Sequence, residues 1–349
     1  MTTVKVVFFP LDEQLGLVEK QWSASLVKEA VWLSGTMKSY EEAAKVFERI
    51  GGIAISDSTI WRQVAQRGQQ IETVIAQEQA VANALPKAGE APRQPAVGAD
   101  RMGVGIDGAM VHLRDEGWKE LKVGCVYEVA QRTQPDSKTG EIMTVGQAVN
   151  NSYVAHLGGP TIFGQLLWSA ASQRQWEDAR TTQTIGDGAV WIWNVADEHF
   201  FRSQRTVDWY HATQHLHNAA HLLYPVNQQA RSRWYNAQET LLFQGHAAKI
   251  ADTLTLKAPH LAAPDALLSE AHFFRTNHQR MNYLECREEG LPIGSGMIES
   301  GAKQFKARFT GPGMRWSRPG IERLLPIRAA ILSHHFDALW SSVFSSPPN

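Results

Sequence analysis

The chain has 349 residues, and its 34 lysines and arginines almost balance 35 aspartates and glutamates, for a net charge of −1. Hydrophobic residues at 43% and charged residues at 20% exclude a disordered chain, and no stretch nears the roughly 20 apolar residues that span a membrane. The two cysteines, Cys125 and Cys286, exclude a disulfide framework and a four-thiolate zinc site, so any metal must find oxygen or nitrogen ligands.

The start, MTTVKVVFFPLDEQ, lacks the basic segment, long apolar run and cleavage site of a secretory signal, and a soluble, cytoplasmic protein is expected. The first clear helix is announced by Ser39-Tyr40-Glu41-Glu42, a capped start with acids in the first turn, followed by Ala43, Ala44, Val46, Phe47 and Ile50 at helical spacing. It stops at Gly51-Gly52, and Ser56 then caps a second helix whose polar face presents Ser58, Thr59, Arg62 and Gln63. This is a helix-turn-helix pattern, expected to bond phosphates or base edges, although a helical hairpin used only for packing has the same spacing. Residues 1–85 are therefore assigned to an N-terminal helical DNA-binding region, and 86–100, rich in proline, glycine and charge, to a linker.

A catalytic α/β domain is expected over 101–349. Val104–Leu113, Trp118–Val129 and Thr144–His156 read as three successive strands, Pro160–Arg174 as a helix, Gln183–Asp187 as a strand, Ala189–Phe200 as a helix, and Thr206–Asp208 as the end of another strand. The order is βββαβαβ. A polar, helical stretch follows, read as an all-α insertion at about 212–290, and from Ile298 onward the pattern is helical and basic.

Three carboxylates stand out. Asp107 interrupts an apolar run, where an ionised group is costly unless paired or metal-bound. Asp187 ends a strand between Gly186 and Gly188, and Glu299 enters the first turn of a basic helix behind Gly294-Ser295-Gly296. Taken singly, Asp-Gly pairs also suit plain turns, and an acid at a helix start also suits capping. Taken together, carboxylates from neighbouring strands suit Mg²⁺ or Mn²⁺, and two such ions perform phosphodiester transfer without a covalent enzyme intermediate. Asp208 and His211 form an Asp-x-x-His turn beside them; the acid competes for the second ligand role, and the histidine suits either phosphate contact or packing. His217 and His221 are four apart on one helical face, as zinc ligands can be, but Asn218 replaces the glutamate that a His-Glu-x-x-His motif requires. The basic residues Lys303, Lys306, Arg308 and Arg315 could carry phosphate contacts or form a solvated face, and Trp316 suits stacking on a nucleotide or a place in the core.

The combination of Gly105-Ile106-Asp107-Gly108, Gly186-Asp187-Gly188-Ala189, Asp208-Trp209-Tyr210-His211, Gly294-Ser295-Gly296-Met297-Ile298-Glu299-Ser300 and Met314-Arg315-Trp316 resembles bacterial insertion-sequence transposases of the DDE superfamily, in the Kra-type group related to Mutator-like enzymes. The opening Phe9-Pro10-Leu11-Asp12-Glu13-Gln14-Leu15 is similar as well. The resemblance implies a ribonuclease H-like catalytic domain in which Asp107, Asp187 and Glu299 hold two metal ions. It also implies double-stranded DNA as partner, a second subunit on the DNA, no membrane, and a nucleoid location when bound. The rival expectations are a ribonuclease H-like nuclease that cuts without joining, and a domesticated DNA-binding regulator without turnover.

Overall fold

The computed structural model describes residues 17–18, 22–84, 99–135 and 140–344. The expected linker at 86–100 and the Phe9–Leu15 motif lie mostly or wholly outside these residues. The described part is an α/β protein with a mixed five-stranded sheet, and it divides into two compact units.

The first unit takes the described residues up to Ala76 together with 111–118 and those from Phe305 onward. A short pair, β1 (Leu17–Val18) and β2 (Trp22–Ser23), leads into α1 (Ala24–Thr36), capped by the Ser23 side chain. Helix α2 (Tyr40–Gly51) starts as expected: Ser39 Oγ accepts from the Glu42 amide at 3.0 Å, and the Glu42 carboxylate accepts from the Lys38 amide at 3.0 Å. After Ser56, whose hydroxyl accepts from the Thr59 amide, α3 runs over Asp57–Ala84. Its buried stripe is Ile60, Gln63, Val64, Arg67 and Ile71. Two C-terminal helices, α12 (Arg318–Leu332) and α13 (Phe336–Phe344), complete the unit, with α12 packed on α1. The compact units divide within α3, between Ala76 and Gln77. The C-terminal segment clusters with the N-terminal helices, through contacts separated by hundreds of residues in sequence that no local pattern encodes.

The second unit, 77–110 with 119–304, carries the sheet. Its elements are β3 (Arg101–Leu113), β4 (Gly117–Pro135), β5 (Ile142–Leu157), α4 (Pro160–Gln173), β6 (Thr181–Gly186), α5 (Val190–His199) and β7 (Gln204–Val207), in the βββαβαβ order read from the sequence. The tip of the β3–β4 hairpin belongs to the first unit. Across the sheet the order is β5-β4-β3-β6-β7, with β4 and β5 antiparallel and β3, β6 and β7 parallel. Strand β4 is buried continuously from Leu121 to Tyr127, as expected of a strand covered on both faces. One core joins Val104, Ile106, Phe163, Trp168, Ile192, Phe200 and Val207 to the helices that follow β7. These are α6 (Trp209–Leu223), α7 (Gln228–Phe243), α8 (Ala247–Lys257), α9 (Pro264–Asn277) and α10 (Tyr283–Glu288), occupying the stretch expected to be all-α. Helix α11 (Gly296–Phe309) then starts in this unit and ends in the first. No helix among the described residues is long and apolar enough to cross a membrane.

Candidate active site

The site is built by strand register. Ile106 on β3 pairs with Gly186 on β6, and Gly186 pairs with Val207 on β7, all in parallel strands. Asp107, Asp187 and Asp208 each follow one residue later, so three aspartates stand in a row across three adjacent strands. The Asp208 amide donates to the Gly186 carbonyl at 2.8 Å, which carries the register to the end of β7.

The three are used differently. Among the described residues Asp107 accepts only from the amide of Gly108, at 2.7 Å. Asp187 accepts from the Ala189 amide at 2.8 Å, closing a tight turn through Gly188, whose φ of +104° is a backbone conformation that side-chain-bearing residues rarely adopt. Neither carboxylate forms an ion pair with lysine or arginine among the described residues. Asp208, fully buried, accepts from two amides, those of His211 at 2.7 Å and Ser295 at 2.5 Å. It caps α6 and simultaneously ties down the turn that leads into α11.

That turn positions Glu299. Gln183, buried on β6, donates to the Pro292 carbonyl at 2.8 Å, the Trp209 amide donates to the Ile293 carbonyl at 2.9 Å, and Ser295 is held by Asp208. Tyr153 on β5 donates its hydroxyl to the Met297 carbonyl at 3.1 Å. Helix α11 crosses β3 where Gly105 leaves room: a Cβ there would lie 3.0 Å from the Ile298 Cβ. Gly105 and Asp107 point to the same face by strand alternation, so the close approach brings the first turn of α11 towards Asp107. Glu299 receives a hydrogen bond from Ser295 Oγ at 3.3 Å and lies 3.6 Å from the exposed ammonium of Lys303.

The electrostatics follow from this crowding. Asp107 is pushed up to about 6, chiefly by burial and further by the negative charges of Asp187 and Glu299, while the Gly108 amide and His211 act in the opposite direction. His211 is raised, first by its interaction with Asp208 at 3.7 Å and then by Asp187 and Asp107, although burial opposes it. Burial alone would raise Asp208, but the hydrogen bonds from His211 and Ser295 outweigh it and hold the acid below its ordinary value. Hence Asp107, Asp187 and Glu299 bring negative charge together, while the charge of Asp208 is already met by its hydrogen-bond donors. The donor set is hard oxygen with no thiolate, which fits a divalent cation of the Mg²⁺ or Mn²⁺ type. Among the described residues no group of three or more histidine, cysteine, aspartate and glutamate side chains lies close enough together to hold a metal ion as it stands.

The DNA-contact residues read from the sequence separate into two sets. Ser58, Arg62, Lys303, Lys306 and Arg315 are exposed and Thr59 is partly so, with Arg62 bonded back to the Ser58 carbonyl and the Thr59 hydroxyl. Gln63 and Arg308 depart from the expectation. Gln63 is 3% exposed and faces inward with Ile60 and Val64. Arg308 is 2% exposed, donates to the Ser34 carbonyl at 2.8 Å and the Lys38 carbonyl at 3.1 Å, and lies 4.9 Å from the Trp316 ring centroid. Trp316 itself packs edge-on against Phe309 and Tyr40 and donates to the Phe309 carbonyl, so of its two readings the structure supports packing. The residues that sequence reasoning missed are Gln183, Tyr153 and Ser295. Only Ser295 carried a visible signal, between two glycines.

No family model matches the chain, and no curated protein matches it either.

Proposed function

We propose that the chain is a DNA transposase with a ribonuclease H-like catalytic domain, acting by metal-dependent cleavage and strand transfer at the ends of its element. The observation that carries this reading is the register row: Asp107 and Asp187 at matching positions on adjacent parallel strands, with Glu299 near enough to raise Asp107 by its charge. The strand order, the placement of an all-α stretch between the second aspartate and the glutamate, and the resemblance in motifs support it further.

In this reading Asp107, Asp187 and Glu299 would hold two Mg²⁺ or Mn²⁺ ions, which when bound supply an activated water or 3′-hydroxyl and charge for the leaving oxygen. Asp107 must lose its proton before it can act as a ligand, and its raised pKa places that loss near pH 6. His211, half-exposed and biased towards its charged form, is suited to meet a non-bridging phosphate oxygen. Asp208 acts at one remove, as a positioning residue that fixes the α6 start and the turn before Glu299. The partners are double-stranded DNA and a second copy of the chain, with Ser58, Thr59, Arg62, Lys303, Lys306 and Arg315 as candidate contacts and α2–α3 as a candidate helix-turn-helix.

The test is to incubate the protein with DNA bearing the flanking inverted repeats, with Mg²⁺ or with chelator. Nicks at the repeat boundary, and joined products from precleaved ends, are expected only with metal. Asp107→Asn, Asp187→Asn and Glu299→Gln should each lower the rate by about 10²–10³-fold or more, the scale for removing a key electrostatic group, while repeat binding persists. Cleavage without joining would leave a nuclease, and binding without cleavage a regulator.

A further inference from the structure

Away from the carboxylates, α6 carries a second constellation that the proposed chemistry does not use. His217 and His221 lie one helical turn apart on the exposed face, and their Nε2 atoms are 3.0 Å from each other with the rings at 66°. Two imidazole nitrogens bound to one ion at about 2.0–2.1 Å lie about 2.9 Å apart at a right angle and about 3.3 Å apart at the tetrahedral angle. The observed 3.0 Å falls within that interval.

A second contact makes the pair conditional. Arg231, on α7, donates from Nη1 to Nδ1 of His221 at 3.1 Å. Guanidinium only donates, so the neutral His221 ring carries its proton on Nε2 and donates it to Nε2 of His217. A metal taking both Nε2 atoms would need that proton to move to Nδ1, where Arg231 cannot accept it. Metal binding and the Arg231 contact are therefore mutually exclusive.

We propose that His217 and His221 form a two-histidine chelate for a divalent transition metal, Zn²⁺, Ni²⁺ or Cu²⁺, and that Arg231 leaves His221 when the ion binds. The preference follows from the ligands. Imidazole suits these ions, whereas Mg²⁺ demands oxygen, so this site and the carboxylate patch select different metals. The remaining coordination positions are open to water or to an external ligand. The chelate also bridges successive turns of α6, the helix capped by Asp208 and carrying His211 in its first turn, and binding there would stiffen the helix without touching the acids. This inference is independent of the transposase reading, since it concerns binding alone.

The experiment is a calorimetric titration of the full chain with Zn²⁺, Ni²⁺ and Cu²⁺ in millimolar Mg²⁺, beside His217→Ala, His221→Ala and Arg231→Ala. One site is expected, tightest for Cu²⁺. Each histidine substitution should weaken it at least about tenfold, and Arg231→Ala should strengthen it several-fold. Both histidines are exposed, so circular dichroism should show every variant folded as wild type. Histidine variants that titrate like wild type would overturn the site, as would Mg²⁺ displacing the bound ion. An Arg231→Ala variant with unchanged affinity would overturn the displacement of the arginine. The titration reads binding and not DNA processing, so its failure is distinguishable from failure of the transposase reading.

Discussion

Two charged groups withdrawn from water, one in each compact unit, Arg308 almost wholly and Asp107 in part, are treated in opposite ways. Arg308 in the first unit has backbone carbonyls from the end of α1 and the following turn as acceptors, and aromatic faces beside it. Asp107 in the second has a single amide from its own next residue and two further carboxylates acting on it. Both are shifted by burial, Arg308 down to about 10 and Asp107 up to about 6, yet only Arg308 keeps its usual charge throughout the neutral range. A buried charge held by carbonyl acceptors and aromatic faces is part of the architecture. One with too few partners invites a ligand that carries the missing charge. The same contrast recurs within the aspartate row, where Asp208 has partners and Asp107 and Asp187 have few.

The contrast is sharpest where the partners are removed. Arg308→Ala should cost about 2–4 kcal/mol in denaturant unfolding, because the Ser34 and Lys38 carbonyls lose their donor at about 1–3 kcal/mol each. A loss below 1 kcal/mol would mean the arginine is dispensable and the contrast with Asp107 is mistaken.

Asp208→Asn should cost about 2–3 kcal/mol, since two charge-assisted bonds to amides lose their anion and the new amide nitrogen turns a donor towards a donor. Asp187→Asn, with one turn bond to lose, should cost under about 1 kcal/mol. Chemical denaturation of both variants in chelator gives the comparison directly. If the two lose equal stability, Asp208 has no special structural part.

Asp107 should behave in the reverse sense. Its folded pKa lies above the ordinary 3.8, so the folded state binds the proton more tightly and ionisation penalises the fold. The penalty is absent below the ordinary value, grows as pH rises from about 4 to 6, and is complete above that. Asp107→Asn should therefore stabilise the metal-free protein by roughly 1–2 kcal/mol at pH 7.5, after discounting for partial exposure, and by much less at pH 4. Added Mg²⁺ should stabilise wild type more than this variant. Equal unfolding midpoints at pH 7.5 would show that the crowding is relieved by other means.

The smallest effect concerns the exposed bases. Each of Lys303 and Lys306 that contacts phosphate contributes about −0.9 to the slope of log K against log salt, so neutralising it should flatten the slope by that amount. Arg308→Met, in contrast, should leave the slope unchanged in the folded variant, and a flatter slope there would bring Arg308 back among the contacts.

Much of the sheet was legible in the sequence because strands declare themselves through apolar runs, and aspartates within or at the end of such runs are costly enough to be noticed. Val104–Leu113 and Gln183–Asp187 differ from the observed β3 and β6 by only a few residues. The parallel register that aligns Asp107 with Asp187 was not legible, since it depends on which strands pair. Helix α1 does not stand out in the sequence, although Val27, Ala30 and Val31 have helical spacing, because it closes on Ser34-Gly35-Thr36, weak helix formers whose place is fixed by tertiary contacts. Gln63 and Arg308 look like contacts in the sequence because polarity suggests exposure. A buried polar residue is recognised only when its partner is known, and the Arg308 partners are 270 and 274 positions away in sequence.

The chain leaves the sheet at Trp209 and returns at Ile293, and the departing amide and the arriving carbonyl are 2.9 Å apart. Such a closed excursion uncouples its own length from the geometry at its root. Residues added at the exposed corner between α6 and α7, where Val226 is 96% exposed, would lengthen a loop whose ends are already fixed, and each doubling of that loop costs only about 0.6 kcal/mol. A single residue inserted between Ser295 and Glu299 acts quite differently. It would rotate the glutamate by about 100° around α11 and carry it off the face that Gly105 brings near Asp107. The same change in length is thus absorbed in one place and decisive in another, some seventy positions further along the chain.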